Sequence, residues 1–308
     1  MFVSGGLVEQ HIHGAFGYDF MTCTSDELYE CSNLLLECGV SSFFPTIMTE
    51  DINVIKDRIQ LVKSVMNKQQ KDAAQIAGVH LEGPFINPEK HGIHEVKYIL
   101  PLEKQYFEQI DDDIIKIVTL APELSLDGNF IQYLHSNGIK ISAGHTMTHD
   151  LSMVDQVTHL YNAMGAFSHR EPSAVVRALS DNIYTEIIAD SMHVSDEVLK
   201  LTFKLKPIDK ILLISDALPL AHSSKPECIF AGQTIYNKDG KLLNKEGVFA
   251  GSSKLLCDIV KNLADKNILS IENALQAASF NQLNYHKLNN NIKVYWNGAN
   301  KIEKVEII

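Results

Sequence analysis

Apolar, β-branched runs alternate along this chain with segments whose apolar residues return at helical spacing. That alternation predicts a parallel sheet with crossover helices. Strands are predicted near Leu7–His11, Val40–Phe44, Ile76–His80, Ile115–Leu120, Lys140–Ala143, Val157–Leu160, Thr185–Ala189 and Ile211–Ile214. Helices are predicted near Ser25–Cys38, Ile52–Lys68, Glu103–Gln109, Asn129–Asn137, Thr148–Asp155 and Ser195–Leu205, with Ser25 and Asp51 as N-cap types at the first two. Eight strands is the number that closes a TIM (β/α)8 barrel. After Asp216 the rhythm changes. Residues 219–250 hold glycines, short alternating runs and a predicted hairpin across Asn237-Lys238-Asp239-Gly240. Two amphipathic helices are predicted near Ser253–Asp265 and Ser270–Ser279, and the tail Ile292–Ile308 reads as short strands around Asn297-Gly298. The expected division is a barrel domain over residues 5–280, with the β-rich insertion inside it, and a short β-rich tail over 281–308.

Composition narrows the class. A chain of 308 residues with 45% hydrophobic content can bury a large core. No apolar stretch approaches the roughly 20 residues that cross a bilayer. The start, Met-Phe-Val-Ser-Gly-Gly, lacks the basic and apolar regions of a signal peptide. Five scattered cysteines without a CxxC pair are expected as reduced thiols in a cytoplasmic protein, Cys23, Cys31 and Cys38 packing in or near the first helix. A net charge of −11 argues against a general nucleic-acid or membrane-surface binder. An anionic substrate must then be held by a few local cations and backbone donors. The run Asp111-Asp112-Asp113 reads as a solvated turn.

His11 and His13, two apart on a strand, point to one side and can face one ion. Thirteen histidines produce some close pairs by chance, so the company matters. Further groups end later strands: His80-Leu81-Glu82, Gly144-His145-Thr146, Thr158-His159-Leu160 and Ser215-Asp216. A parallel barrel gathers such strand ends into one cup. Imidazoles and carboxylates without a thiolate pair suit Zn²⁺ or Fe²⁺ rather than a zinc finger, and the set predicts a metal-dependent hydrolase. His80 is read on the strand face opposite Glu82, in a structural role. His135, His149 and His286 have no partner pattern and read as surface or packing residues. Taken alone, Asp216 also fits an N-cap or loop acid, and Arg170 a surface cation beside Glu171.

More specific strings follow: His-Leu-Glu-Gly-Pro-Phe at 80–85, Val-Thr-Leu-Ala-Pro-Glu at 118–123, Ser-Ala-Gly-His-Thr at 142–146 and Thr-His-Leu-Tyr-Asn-Ala-Met at 158–164. Arg-Glu-Pro at 170–172 and Ile-Phe-Ala-Gly-Gln-Thr-Ile-Tyr at 229–236 complete them. With these the chain, from about Gly5 to about Ser279, resembles the N-acetylglucosamine-6-phosphate deacetylases of the amidohydrolase superfamily. The resemblance implies an amidohydrolase-type barrel in which Glu82, His145 and His159 hold one divalent metal, Zn²⁺ or Fe²⁺. His11 and His13 match a pair supporting a second ion in some members, with Glu82 between the two and Asp216 a further candidate ligand. Asp216 matches the catalytic acid/base, and His94 a histidine that hydrogen-bonds the substrate amide carbonyl. Asn162 and Ala163 match phosphate and sugar contacts, and His193 a sugar contact. Arg170 matches an arginine that reaches phosphate across the interface of a homodimer.

The implied reaction hydrolyses the acetamide of N-acetylglucosamine 6-phosphate to glucosamine 6-phosphate and acetate. N-acetylgalactosamine 6-phosphate as substrate, another amidohydrolase activity on a cyclic amide, and a non-catalytic metal-binding remnant stay open at this point. The family carries an N-terminal extension that contributes to a small β-sandwich, whereas this chain starts practically at the first barrel strand. The sandwich is therefore expected to be reduced or missing, or the start codon mis-assigned or the chain a fragment. Glu9 stands where the family has Asp, Gly5 for a proline, Ser191 and Ser173 for glycines, and Asn281-Gln282 for an Asn-Pro-Ala string. The loop after Asp216 lacks a glycine. These changes bear on sugar specificity more than on reaction type.

Overall fold

The computed structural model describes residues 2–125 and 128–308. Eight parallel strands follow one another around a barrel in chain order: Leu7–Ile12, Val40–Met48, Val79–Glu82, Ile115–Leu120, Lys140–Ala143, Gln156–Val157, Tyr184–Ile188 and Ile211–Ile214. The ring closes where the Asp216 amide donates to His11 O at 3.0 Å and Ile12 pairs in parallel with Ala217. Strands covered on both faces read as unbroken apolar runs, and all nine residues of Val40–Met48 are buried.

The helices are α1 (Ser25–Glu37), α2 (Ile52–Met66), α3 (Lys104–Phe107), α4 (Asn129–Ser136), α5 (Ala174–Ser180), α6 (Asp196–Leu205), α7 (Leu256–Asp265), α8 (Ile271–Leu275) and α9 (Asn281–His286). Asp51 caps α2 as predicted, but α1 is capped one residue earlier than expected. Thr24 accepts from the Glu27 amide while the Glu27 carboxylate accepts from the Thr24 amide, a reciprocal pair that fixes the start.

Four expectations are corrected. No helix forms over Thr148–Asp155, because side chains there satisfy the backbone locally. Thr148 Oγ1 bonds both the N–H and the C=O of Asp150, and Asp150 Oδ1 accepts from the Ser152 amide, which competes with a helical ladder. The sixth barrel strand stops at Val157, since the chain turns through left-handed backbone at His159, Tyr161 and Ala163. Helix α5 went unpredicted; Ser173 caps it by accepting from the Val176 amide. The helix expected to end at Ser279 continues through a π-turn, Gln276–Phe280, into α9. There Asn281 and Gln282 donate to the carbonyls of Ile208, Ile211 and Leu213.

Two small sheets flank the barrel. Phe2–Gly5 pairs antiparallel with Ile292–Trp296, which pairs with Ile302–Ile307. The first described residues thus precede the barrel as part of a three-stranded sheet shared with the tail. Trp296 is fully buried there, its ring stacked on Phe2 and its Nε1 donating to Ser4 Oγ at 2.9 Å. Gly6 makes the step into the barrel; a Cβ at that position would lie 2.4 Å from the Ser41 Cβ. Within 219–250 and just beyond, Glu227–Phe230, Gln233–Lys238, Lys241–Leu243 and Phe249–Ser252 form a four-stranded antiparallel sheet, with the expected turn at Asp239-Gly240. Leu218 N donates to Ser252 O at 3.0 Å and ties this sheet to the barrel mouth. Among the described residues, no helix is long and apolar enough to cross a membrane.

A candidate metal and acid–base site at the barrel mouth

His145, His159 and Asp216 each stand where a barrel strand ends, and each has a positive φ, of 49°, 29° and 51°. Non-glycine residues hold such backbone only where the surrounding structure over-determines it. The sharp turns bring these three side chains to Glu82, at the end of the third strand. Glu82 Oε1 lies 3.1 Å from His159 Nε2, 3.2 Å from His145 Nε2 and 3.4 Å from His11 Nε2. Its Oε2 lies 3.2 Å from His13 Nε2 and 3.5 Å from His94 Nε2. Asp216 Oδ1 completes the ring at 3.2 Å from His13 Nε2 and 3.5 Å from His11 Nε2.

Hydrogen bonds behind the imidazoles decide which nitrogens carry protons. His145 Nδ1 is 2.7 Å from Lys90 O, so it must donate and its Nε2 presents a lone pair. His11 Nδ1 is 3.1 Å from Glu186 Oε2, which leaves a lone pair on Nε2, a buried atom without a hydrogen-bond partner. Bare nitrogens around a carboxylate oxygen are acceptors facing acceptors, and a divalent cation fits among them. The donor atoms of Glu82, His145 and His159 all lie within 4.8 Å of one another, as do those of His11, His13 and Glu82. A third group, His11, His80 and Glu186, is equally close, but both His80 nitrogens are already engaged, by Gln10 O and Thr119 Oγ1.

Without a cation, protons take its place at two of these rings. Burial pushes His11 and His13 down, yet the carboxylates of Glu82 and Asp216 outweigh it and draw protons to both rings, His13 rising to about 9. Protons and metal ions therefore compete for the same nitrogens. Burial pushes the Glu82 carboxyl up, and the surrounding imidazoles, His11 foremost, hold it well below its usual range.

The site opens into a cleft of about 310 Å³ lined by His94, Asn162, Ala163, His193, Phe230 and Phe249, with Lys90 beside them. The inserted sheet thus supplies apolar walls that sequence reasoning did not assign. Asp190 fixes His193, accepting from Nδ1 at 2.8 Å and from the backbone amides of Met192 and His193. Asn162 turns its amide back onto His159 O and Leu160 O, bracing the loop that carries His159. Arg170 is exposed, with its own amide on Ser168 Oγ, and is absent from the cleft lining. His80 requires a correction: two residues from Glu82, it shares the barrel-facing side rather than the opposite one, one layer deeper against the His11 ring. His135 meets Asp155 near the surface, His149 is exposed, and His286 is half-buried with its Nε2 2.7 Å from Gln10 Oε1.

Two carboxylates were missed as parts of the site. Glu186 accepts from Gln10, Gln156, His11 Nδ1 and the His159 amide. Glu9 accepts from the Ser215 and His11 amides, and burial raises it to about 8. The available signal was an acid inside an apolar strand run, since a buried carboxyl demands partners.

Known proteins extend this geometry. No family model matches the chain. It is 33% identical over 260 residues to N-acetylglucosamine-6-phosphate deacetylase of Bacillus subtilis, across 80% of this chain and 66% of that protein. With the Mus musculus protein of the same name it shares 32% over 298 residues, across 89% and 72%. The relatives are longer, and this chain spans about two thirds to three quarters of them. Among solved structures, the Thermotoga maritima N-acetylglucosamine-6-phosphate deacetylase superposes with a TM-score of 0.90 at 26% identity, covering 99% of this chain and 87% of that one. A Mycobacterium smegmatis structure in complex with N-acetyl-D-glucosamine-6-phosphate has the same fold at 21% identity, with a TM-score of 0.90 and coverage of 99% and 85%. With its closed barrel and the sequence shared along most of its length, the chain belongs to the N-acetylglucosamine-6-phosphate deacetylase family of amidohydrolases.

Proposed function

We infer that this chain hydrolyses the acetamide of N-acetylglucosamine 6-phosphate, releasing acetate and glucosamine 6-phosphate. The observation that carries the reading is Asp216 Oδ1 beside a ring of imidazole lone pairs centred on Glu82, in a member of this family. Glu82, His145 and His159 are the residues to hold a first divalent ion, Zn²⁺ or Fe²⁺, and His11 and His13 with Glu82 a second. Such an ion, when bound, is a Lewis acid that brings the pKa of a water towards about 7.

The chain's own groups do the rest. Burial raises the Asp216 carboxyl, but His11 and His13 outweigh that and keep it ionised at neutral pH. Asp216 takes the proton of the attacking water and returns it to the departing nitrogen. Burial pushes His94 down to about 4, so it is neutral and offers an N–H to the acetyl oxygen as charge develops there. His193, oriented by Asp190, contacts the sugar, and Asn162 and the Ala163 backbone contact sugar and phosphate. Arg170, outside the cleft of its own copy, serves the phosphate of a second copy, which makes a homodimer part of the proposal. The free cysteines and the phosphorylated substrate fit a cytoplasmic enzyme.

Acetate release from N-acetylglucosamine 6-phosphate and from N-acetylgalactosamine 6-phosphate tests the proposal. Release from the glucosamine compound should vanish on chelation and return with Zn²⁺ or Fe²⁺. Faster release from the galactosamine compound would reassign the sugar. Folded, metal-loaded protein inert on both would overturn the reading.

A further inference from the structure

A buried apolar cluster separate from the barrel core joins the barrel mouth to the inserted sheet. Leu218, Ile235 and Leu242 fill its interior and dock the sheet. Met48, Ile93 and Phe230 belong to the same cluster, yet they also line the cleft. They come from three separate stretches: the end of the second barrel strand, the loop after the third, and the first strand of the inserted sheet. A wall gathered from such distant parts of the chain faces the reacting centre.

The two aromatic residues of the cleft stand on different sides of it. Phe249 has its ring centre 4.9 Å from that of His193, behind the proposed sugar contact. Phe230 has its ring centre 5.5 Å from that of His13, edge to face at 74°. Met48 pairs in register with Glu82, so both side chains rise from the same face of the sheet. Ile93 immediately precedes His94, whose Nε2 is 3.5 Å from Glu82 Oε2. An amide carbon carries oxygen, nitrogen and, in an acetamide, a methyl group in one plane. With the oxygen at His94 and the nitrogen joined to a sugar lying towards His193 and Asn162, the methyl points to the side of His13 and His94. There Met48, Ile93 and Phe230 offer it an apolar surface.

We propose that Met48, Ile93 and Phe230 form the acyl pocket of this enzyme and restrict it to amides of short acids, acetyl above all. The inference rests on the deacetylase reading and adds to it which acyl group is accepted and which side chains decide. The wall is braced rather than adaptable. Phe230 pairs with Gln233 across a two-residue turn, Ala231-Gly232, in which both φ are positive, 50° and 70°. From that turn Gln233 Nε2 donates to Ile93 O at 3.1 Å, and Asn244 Nδ2 donates to Gln233 Oε1 at 2.9 Å. Phe230 and Ile93 are thus fixed to each other through one glutamine. A longer acyl chain must push into packed side chains, which a close-packed cluster resists.

The experiment gives the whole, metal-loaded chain the N-acetyl, N-propionyl and N-butyryl amides of glucosamine 6-phosphate. All three release the same amine, so one assay yields kcat/KM for each. The parent should favour acetyl over propionyl by about ten-fold or more and over butyryl by about 100-fold or more. Met48→Ala should raise the butyryl-to-acetyl ratio by at least about ten-fold, and Phe230→Leu should move it the same way. Phe249→Ala, on the sugar side, should lower all three rates and leave that ratio within about two-fold. The parent's own series decides even where a variant folds poorly. Parent rates within about three-fold of one another, or an unchanged ratio in folded Met48→Ala and Phe230→Leu, would overturn the acyl pocket and leave the deacetylase reading standing. A parent inert on all three amides would overturn both.

Discussion

Replacing Glu186 with Gln tests whether the layer beneath the barrel mouth tunes the side chains proposed to hold metal. Glu186 Oε2 accepts from His11 Nδ1 at 3.1 Å and from the His159 amide at 3.3 Å, while Oε1 accepts from the side-chain amides of Gln10 and Gln156. Glutamine keeps the shape and turns one acceptor into a donor. Facing Gln10 and Gln156, the new NH₂ forces their amides to flip. Gln10 cannot flip freely, because its Oε1 already meets His286 Nε2 at 2.7 Å. Facing His11, it sets donor against donor. In either case the negative charge that makes His11 Nε2 basic is gone. Loss of such an outer partner weakens metal affinity about 10–100-fold, equivalent to about 1.4–2.7 kcal/mol. Glu186→Gln should therefore fold, keep the ion held by Glu82, His145 and His159, and lose the one that depends on His11. Chelator competition with metal analysis reads this directly, and urea unfolding checks the fold. Glu186→Leu strands three buried side-chain donors at about 1–3 kcal/mol each, a large part of a domain's stability, and should unfold at much lower urea. Metal affinity and stoichiometry within two-fold of the parent in Glu186→Gln would refute the reasoning.

Other consequences are as direct. Asp216→Asn should retain metal and lose turnover by roughly 10²–10⁴-fold; near-normal rates would remove its role. Arg170→Ala should raise KM for the phosphorylated sugar and leave hydrolysis of unphosphorylated N-acetylglucosamine unchanged, and an equal effect on both would contradict a phosphate contact. Lys206 is buried and donates from Nζ to Ala178 O at 2.6 Å and Asp181 O at 2.7 Å, so Lys206→Met should destabilise by about 1–3 kcal/mol in urea unfolding. Burial pushes that amine from 10.5 to about 8. The unfolded chain then binds more protons between those values, so this group's penalty is full below about pH 8 and is relieved as pH rises towards 10.5. The parent's unfolding free energy should gain that slope relative to Lys206→Met, and parallel pH curves would show the amine is not desolvated.

The barrel was legible because its strands are buried on both faces and stand out as apolar runs, and because the metal-type residues cluster where those runs end. Thr148–Asp155 misled because helical periodicity says nothing about Thr148 and Asp150 capturing backbone groups. Glu186 was hidden for a related reason: one acid among Tyr184–Ile188 looks like an outward-facing residue until neighbours supply four donors. His80 was misread by one step of strand phase, although its structural role holds, with both nitrogens bonded inside the barrel. The walls from Phe230 and Phe249 arise from long-range docking of the inserted sheet, which no local pattern encodes. Ser191, standing for a glycine, does adopt a left-handed φ of 67°, its Oγ accepting from Asn262 Nδ2.

The pairing of Phe2–Gly5 with Ile292–Trp296 has a consequence for biosynthesis. Phe2–Gly5 leaves the ribosome before the eight barrel strands and its partner after them, so it must wait, unpaired, while the barrel is made. Trp296 reaches its place against Phe2 and Ser4 only once all eight barrel strands have been made. Removing residues 292–308, which carry both partner strands, should therefore release Phe2–Gly5 as well, which a protease cutting near Gly5 would report.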